Sequence, residues 1–194
     1  FDENLLSFLG RLHSPKDCIN IYNNARKAGF ENINADLIFD IPGQSLKRWK
    51  KDLSTLVDLE PEHISTYSLT VEKQTELFEL VKTGKVVMPN EKTDISMYIY
   101  MLNFLKENNY IQYEISSHSK KKFRCKHNLH YWNLEPYLAF GPSAHGYDGE
   151  KRWWNVRSLD EYLKHLQSEK SPIVKSEILN LSMRYNELLL NGLR

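Results

Sequence analysis

Cysteine is scarce in this sequence. Cys18 and Cys125 are the only two in 194 residues, and they lie far apart. One such pair is no disulfide framework, and a reducing compartment, the cytoplasm, is the expected setting. Long apolar runs are missing as well. No stretch approaches the roughly 20 residues that a membrane helix needs, and the start carries no signal-peptide pattern. Neither sign of charge dominates: 26 Lys and Arg stand against 25 Asp and Glu, a net charge of +1. A bulk electrostatic draw toward nucleic acid or an anionic membrane has no basis there. Internal repeats, low-complexity tracts, a Ser-His-Asp arrangement and an HExxH sequence are not found.

The remainder is ordinary for a globular chain, with 41% hydrophobic and 26% charged residues, enough for one domain core. The chain opens on Phe1-Asp2-Glu3 and stops at Gly192-Leu193-Arg194, just after an apolar helical run. Neither end has the polar, low-complexity character of a natural terminus. The expectation is an internal piece of a larger α/β protein.

Helix and strand alternate in the first half. Ser14-Pro15 starts a helix whose apolar face is Cys18, Ile21, Tyr22, Ala25 and Ala28, and Gly29 stops it. A strand ending in Ala35-Asp36-Leu37-Ile38-Phe39 turns through Ile41-Pro42-Gly43-Gln44 to Ser45, which caps a second helix. That helix buries Leu46, Trp49, Leu53, Leu56 and Val57. His63 to Leu69 is the next strand, and this rhythm predicts a parallel sheet with right-handed crossovers. A short helix runs from Thr75 to Gly84. A longer one from Asn90 presents Ile95, Tyr98, Ile99, Leu102 and Leu105. Ile111 to Ser116 is predicted as a strand and Ser117 to Val156 as irregular. Ser158 caps a further helix, and a last one carries Met183 and Leu188 to Leu190. Two βα units cannot close a barrel, so more sheet is expected upstream.

Several segments hold residues suited to chemistry. Ligands in parallel α/β folds sit at the C-terminal ends of strands. A strand ending in Asp40 before Pro-Gly fits such an edge, and Arg11 can fork onto a carboxylate. A plain tight turn and a surface arginine fit the same residues. His127 and His130, with Cys125 close by, are ligand types for zinc or haem iron, or a loop bonded to its own backbone. Lys120, Lys121, Lys122, Arg124 and Lys126 suit an acidic ligand or a solvated loop. Gly141-Pro142-Ser143-Ala144-His145-Gly146 lets backbone approach a ligand closely but lacks the spacing of a phosphate-binding loop.

The segments together resemble the oxygen-independent coproporphyrinogen III oxidase-like family of radical S-adenosylmethionine (SAM) proteins. The resemblance runs through Gly10-Arg11-Leu12-His13, Asp36 to Gln44, His63 to Leu69, Gln112 to Ser116, Gly141 to His145 and Trp154 to Ser158. His127-Asn128-x-x-Tyr131-Trp132 is similar to the HNxxYW motif of the HemW branch, regarded as haem chaperones. The implied fold is α/β: the C-terminal part of a partial (β/α)6 barrel over 1–116, the HNxxYW and Gly-Pro-Ser-Ala-His region over 117–157, and the start of a mainly helical C-terminal domain over 158–194. The resemblance implies SAM, held by Arg11, Asp36 and Thr70, and a [4Fe-4S] cluster. It also implies haem, with His127 as the candidate iron ligand and His130, Tyr131 and Trp132 beside it. The CxxxCxxC cluster motif and the glycine-rich SAM segment of such proteins are absent here, so this chain supplies no cluster ligands. At Asp40 many relatives have Gly. The implied function is haem binding and delivery to acceptor proteins, with membrane contact only through those acceptors. The alternative is SAM-dependent radical oxidative decarboxylation of coproporphyrinogen III to protoporphyrinogen IX, for which a porphyrinogen is the substrate.

Overall fold

Side chains just ahead of the helices set most of their starts. In the computed structural model, which describes residues 1–193, Asp2 accepts from the backbone of Asn4 and Leu5 to open α1 (Glu3–Phe8). Ser14 and Asp17 satisfy each other's backbone donors at α2 (Pro15–Lys27), with Pro15 in the first turn, where no N–H is needed. β1 (Asn34–Phe39) leads to Ser45, which caps α3 (Leu46–Asp58), and β2 (His63–Ser68) follows. Thr75 and Asn90 cap α4 (Glu76–Lys82) and α5 (Glu91–Glu107). β3 (Ile111–Gln112), β4 (Ser117–Ser119) and α6 (Lys126–Trp132) come next. Then follow β5 (His145–Tyr147), β6 (Lys151–Asn155), α7 (Leu159–Gln167), β7 (Ile173–Ile178) and α8 (Leu181–Gly192).

The chain divides into two compact units, Phe1–Arg124 and Cys125–Arg194. In the first, four strands lie in the order β1-β2-β4-β3. β1 and β2 are parallel, joined by α3, as the alternation predicts. One face of this sheet is apolar. Phe39 and Ile64 meet Trp49, Leu53 and Leu56 of α3 and Met97, Met101 and Leu105 of α5. Phe39 stacks on Trp49 with ring centroids 5.3 Å apart, and the indole N–H donates to the Met97 carbonyl at 3.1 Å. Burying side chains of this size is worth about 1.5–3 kcal/mol each, and that burial holds the sheet to its helices.

The structure differs from the sequence reading in five places. The strand expected over 111–116 ends at Gln112, because the chain turns back: the Tyr113 amide donates to the Ser117 carbonyl and β4 returns between β2 and β3. The buried row of α5 is Met97, Met101 and Leu105, one turn apart, while Ile95 and Ile99 are half exposed. On α2 only Tyr22 is buried, and Ile21 lies outside. The stretch expected to be irregular holds α6 and a hairpin of β5 and β6. Asp148 closes that hairpin by accepting from the amides of Glu150 and Lys151. β7, not expected at all, adds to β6 antiparallel. In the second unit Gly146 lies against the Trp153 ring, where any Cβ would overlap the indole.

Candidate functional site

Alternation along β1 sends Ala35, Leu37 and Phe39 toward the helices and Asn34 and Asp36 to the other face. The register of β1, β2 and β4 sets His63, Ser65, Ser117 and Ser119 on that same polar face. Its side chains are bonded in series. Asn34 Nδ2 donates to Asp36 Oδ1 at 2.7 Å. Asn34 Oδ1 lies 2.5 Å from His63 Nδ1 and accepts from Ser65 Oγ at 3.2 Å. His63 Nε2 lies 2.6 Å from the Tyr113 hydroxyl. His63 is buried, and burial holds its pKa below the ordinary value against the opposing pull of Asp36 and Glu114.

Asp36 and Arg11 line one cavity of about 490 Å³, walled by Leu5, Leu9, Ile38 and Tyr67. Arg11 follows the left-handed Gly10 at the exit from α1. Thr70 lines an adjoining cavity of about 470 Å³ with Phe39, Thr66 and Asp94, and Tyr67 borders both. The three SAM residues implied by resemblance are therefore split between two hollows that share one wall.

At the C-terminal end of β1, Asp40 stands at φ +61°, the conformation glycine prefers. Its Oδ1 and Gln44 Nε2 are both buried without a hydrogen-bond partner. Burial, with Asp94 nearby, pushes the Asp40 carboxyl up to about 6. The Arg11 guanidinium, the Asp36 carboxylate and the Gln44 amide, lining one cavity, suit a zwitterionic nucleoside such as SAM. A cluster is different. The chain has two cysteines, Cys18 on α2 and Cys125 at the start of α6, in separate units. Among the described residues no three His, Cys, Asp or Glu side chains are grouped to hold a metal ion.

The HNxxYW motif is α6 itself. His127 is exposed, and among the described residues its ring makes no hydrogen bond. His130 is committed on both nitrogens: Nδ1 meets the Glu135 carboxylate at 2.6 Å and Nε2 the Pro136 carbonyl at 2.7 Å. Both ring nitrogens thus face oxygen atoms of the turn after α6. Tyr131 packs on Tyr137 with centroids 5.0 Å apart, and the Trp132 carbonyl accepts from Asn191 at 3.0 Å. The motif thus presents one available imidazole on a helix that its neighbours hold in place. In the basic cluster, Lys120 is tied to the Glu60 carbonyl at 3.0 Å and Arg124 lies over the Tyr113 ring at 5.5 Å. Lys121 and Lys122 are exposed.

Sequence reasoning did not single out Asn34, His63, Ser65 or Tyr113. The available signal was Asn34 two residues before Asp36 in a strand, which sets both on one face. It also passed over His118, which lies on the apolar face opposite Ile64.

No family model matches the chain. Its sequence is 36% identical over 194 residues to the heme chaperone HemW of Bacillus subtilis (strain 168), covering 100% of the chain and 51% of that protein. It is 34% identical to the heme chaperone HemW of Lactococcus lactis subsp. lactis (strain IL1403), with the same shares covered. It is 32% identical to radical S-adenosyl methionine domain-containing protein 1, mitochondrial, of Danio rerio, over 97% of the chain and 44% of that protein. The fold is that of coproporphyrinogen III oxidase (HemN) from Escherichia coli, described as a radical SAM enzyme. The TM-score is 0.79 at 15% identity, covering 100% of the chain and 47% of that structure. The chain spans about half the length of the curated relatives it matches.

Proposed function

We propose, from the premise that this chain belongs to the HemW branch of the radical SAM, coproporphyrinogen III oxidase-like family, that the protein binds haem and delivers it to haem-accepting proteins. What carries this reading is the identity along all 194 residues to proteins called heme chaperones. His127 supports it locally, as an exposed imidazole on the helix of the HNxxYW motif. Neutral imidazole is a usual axial ligand of haem iron. In this reading His127 ligates the iron, and Tyr131 and Trp132 border the ring. His130 instead fixes the turn after α6 through Glu135 and Pro136.

SAM, when bound, supplies a sulfonium whose carbon–sulfur bond can be cleaved reductively at a cluster. The part of this chain is to hold it. Arg11 offers a two-pronged donor for a carboxylate, and Asp36 offers an acceptor for hydroxyl or ammonium protons. Thr70 adds a hydroxyl from the neighbouring hollow. Among the described residues no helix is long and apolar enough to cross a membrane. We place the protein in the cytoplasm, in keeping with a chain that holds only two cysteines, far apart in sequence.

The test is a haem titration of the complete protein followed by Soret absorbance, beside His127→Ala and His130→Ala. The expected result is tight binding, weakened at least tenfold by His127→Ala and less by His130→Ala. Unchanged haem affinity with a lowered melting temperature in His127→Ala would leave the motif a packing role. Formation of protoporphyrinogen IX from coproporphyrinogen III by the reconstituted protein would replace the chaperone reading with the oxidase one.

A further inference from the structure

The SAM-holding carboxylate proposed above, Asp36, stands exposed on β1 with one oxygen bonded within the chain. Asn34 makes that bond, and an amide can face either way. Turned by half a rotation, Asn34 would point its carbonyl oxygen at Asp36, and two acceptors would repel. Its orientation is set from behind. Oδ1 of Asn34 receives Ser65 Oγ at 3.2 Å and lies 2.5 Å from His63 Nδ1. An amide oxygen only accepts, so His63 carries its proton on Nδ1. Nε2 is then the acceptor and takes the proton of the Tyr113 hydroxyl at 2.6 Å. Tyr113 stands edge-on to the His63 ring, with centroids 5.6 Å apart, and is covered by the Arg124 guanidinium. With the proton on Nδ1, every bond in the series runs one way, from Tyr113 through His63 and Asn34 to Asp36.

We infer that Asn34, His63 and Tyr113 are positioning residues for SAM, a relay that locks the Asn34 amide so that Asp36 keeps one oxygen turned to the cofactor. The inference rests on reading Asp36 as a SAM residue. Its logic is that of buried partners around a metal-ligating histidine: a ligand held by a second group is presented in one orientation and loses less freedom on binding.

The choice of substitution at His63 separates positioning from packing. His63→Asn places an amide nitrogen near the position of Nδ1 and keeps the donor toward Asn34. His63→Gln places it near Nε2 and loses that donor. Both remove the ring to a similar degree. The measurement is SAM affinity of the complete protein by calorimetry, with a melting temperature for each variant. His63→Asn is expected to stay within about threefold of the parent. His63→Gln and Asn34→Ala are expected to lose about tenfold, the loss of roughly one charge-assisted hydrogen bond. Ser65→Ala, which removes one oxygen and spares the fold, is expected to lose a few-fold. Equal losses in His63→Asn and His63→Gln would overturn the relay, as would unchanged affinity in Asn34→Ala. Asp36→Asn is the control on the premise. If it binds SAM as tightly as the parent, the assignment of Asp36 itself fails; if it weakens binding while Asn34→Ala does not, only the relay fails.

Discussion

His118 and Asp40 are buried ionisable residues whose pH dependences run in opposite directions. His118 is 1% exposed, with neither ring nitrogen bonded, and burial drives its pKa down to about 4. Unfolded, it takes up a proton near pH 6.5. Between those values the unfolded chain binds more protons, so the stability tied to His118 is complete above pH 6.5 and is lost as pH falls toward 4, by about 3 kcal/mol at most. His118→Phe removes the unbonded nitrogens from the apolar face. It is expected to flatten the acid limb of a urea-midpoint-versus-pH curve; an unaltered limb would show that another group is responsible. Asp40 has the reverse sign. Its carboxyl is raised to about 6 from 3.8, so it favours the fold most below pH 3.8 and costs stability as pH rises through 6. Asp40→Gly would remove both the buried charge and the left-handed strain. The expected gain is roughly 1 kcal/mol or more at pH 7.5, shrinking toward pH 4.

Among the elements, α2 is fastened by one arginine. Arg26 reaches Glu62 with both carboxylate oxygens at 2.7 Å, the Tyr22 hydroxyl at 2.6 Å and the Glu60 carbonyl at 3.1 Å, while Glu62 also accepts from the Ile33 amide at 3.0 Å. The carboxylate therefore ties the helix to the N-terminal ends of both β1 and β2. Glu62→Gln keeps the shape and loses the charge, and roughly 2 kcal/mol of stability should go with it in urea unfolding. A change within error would mean that water serves Arg26 equally well. The legibility of elements in the sequence follows the same physics. Ser14, Ser45 and Ser158 announced their helices because a cap is a local event. β1 and β2 were legible because apolar runs beside Pro and Gly mark buried strands. β7 was not: Ile173-Val174-Lys175-Ser176-Glu177-Ile178 is mostly exposed and pairs with β6 only in three dimensions. On α5 the expected Leu105 is buried and Tyr98 and Leu102 pack against the core, but Ile95 and Ile99 are half exposed and Met97 and Met101 take the inner row, a choice that the packing of Trp49 makes. Motifs drew attention to Arg11, Asp36 and His127, whose roles are those proposed above. His63 and Tyr113 were not legible, because 50 residues separate them and only the return of β4 brings them together.

Over the molecule as a whole, a balanced charge meets considerable apolar exposure. β1 ends the first sheet with its outer edge unpaired in that sheet, and Leu181, Leu190 and Ile178 in the second unit are 84%, 67% and 73% exposed. With a net charge of +1 and a pI near 7.9, little repulsion keeps copies apart. The 194-residue chain alone is expected to self-associate most at pH 8 and less at pH 10, as read by light scattering at micromolar concentration; monodisperse behaviour at both would count against it. The packing of Trp49 has a further, optical consequence. It is the only tryptophan before residue 125, fully buried and stacked on Phe39, whereas Trp132, Trp153 and Trp154 all belong to the second unit. Intrinsic fluorescence therefore divides by unit. A Trp49→Phe protein glows only from the half that carries the histidine motif, and the difference from the parent reports the sheet that carries Asp36.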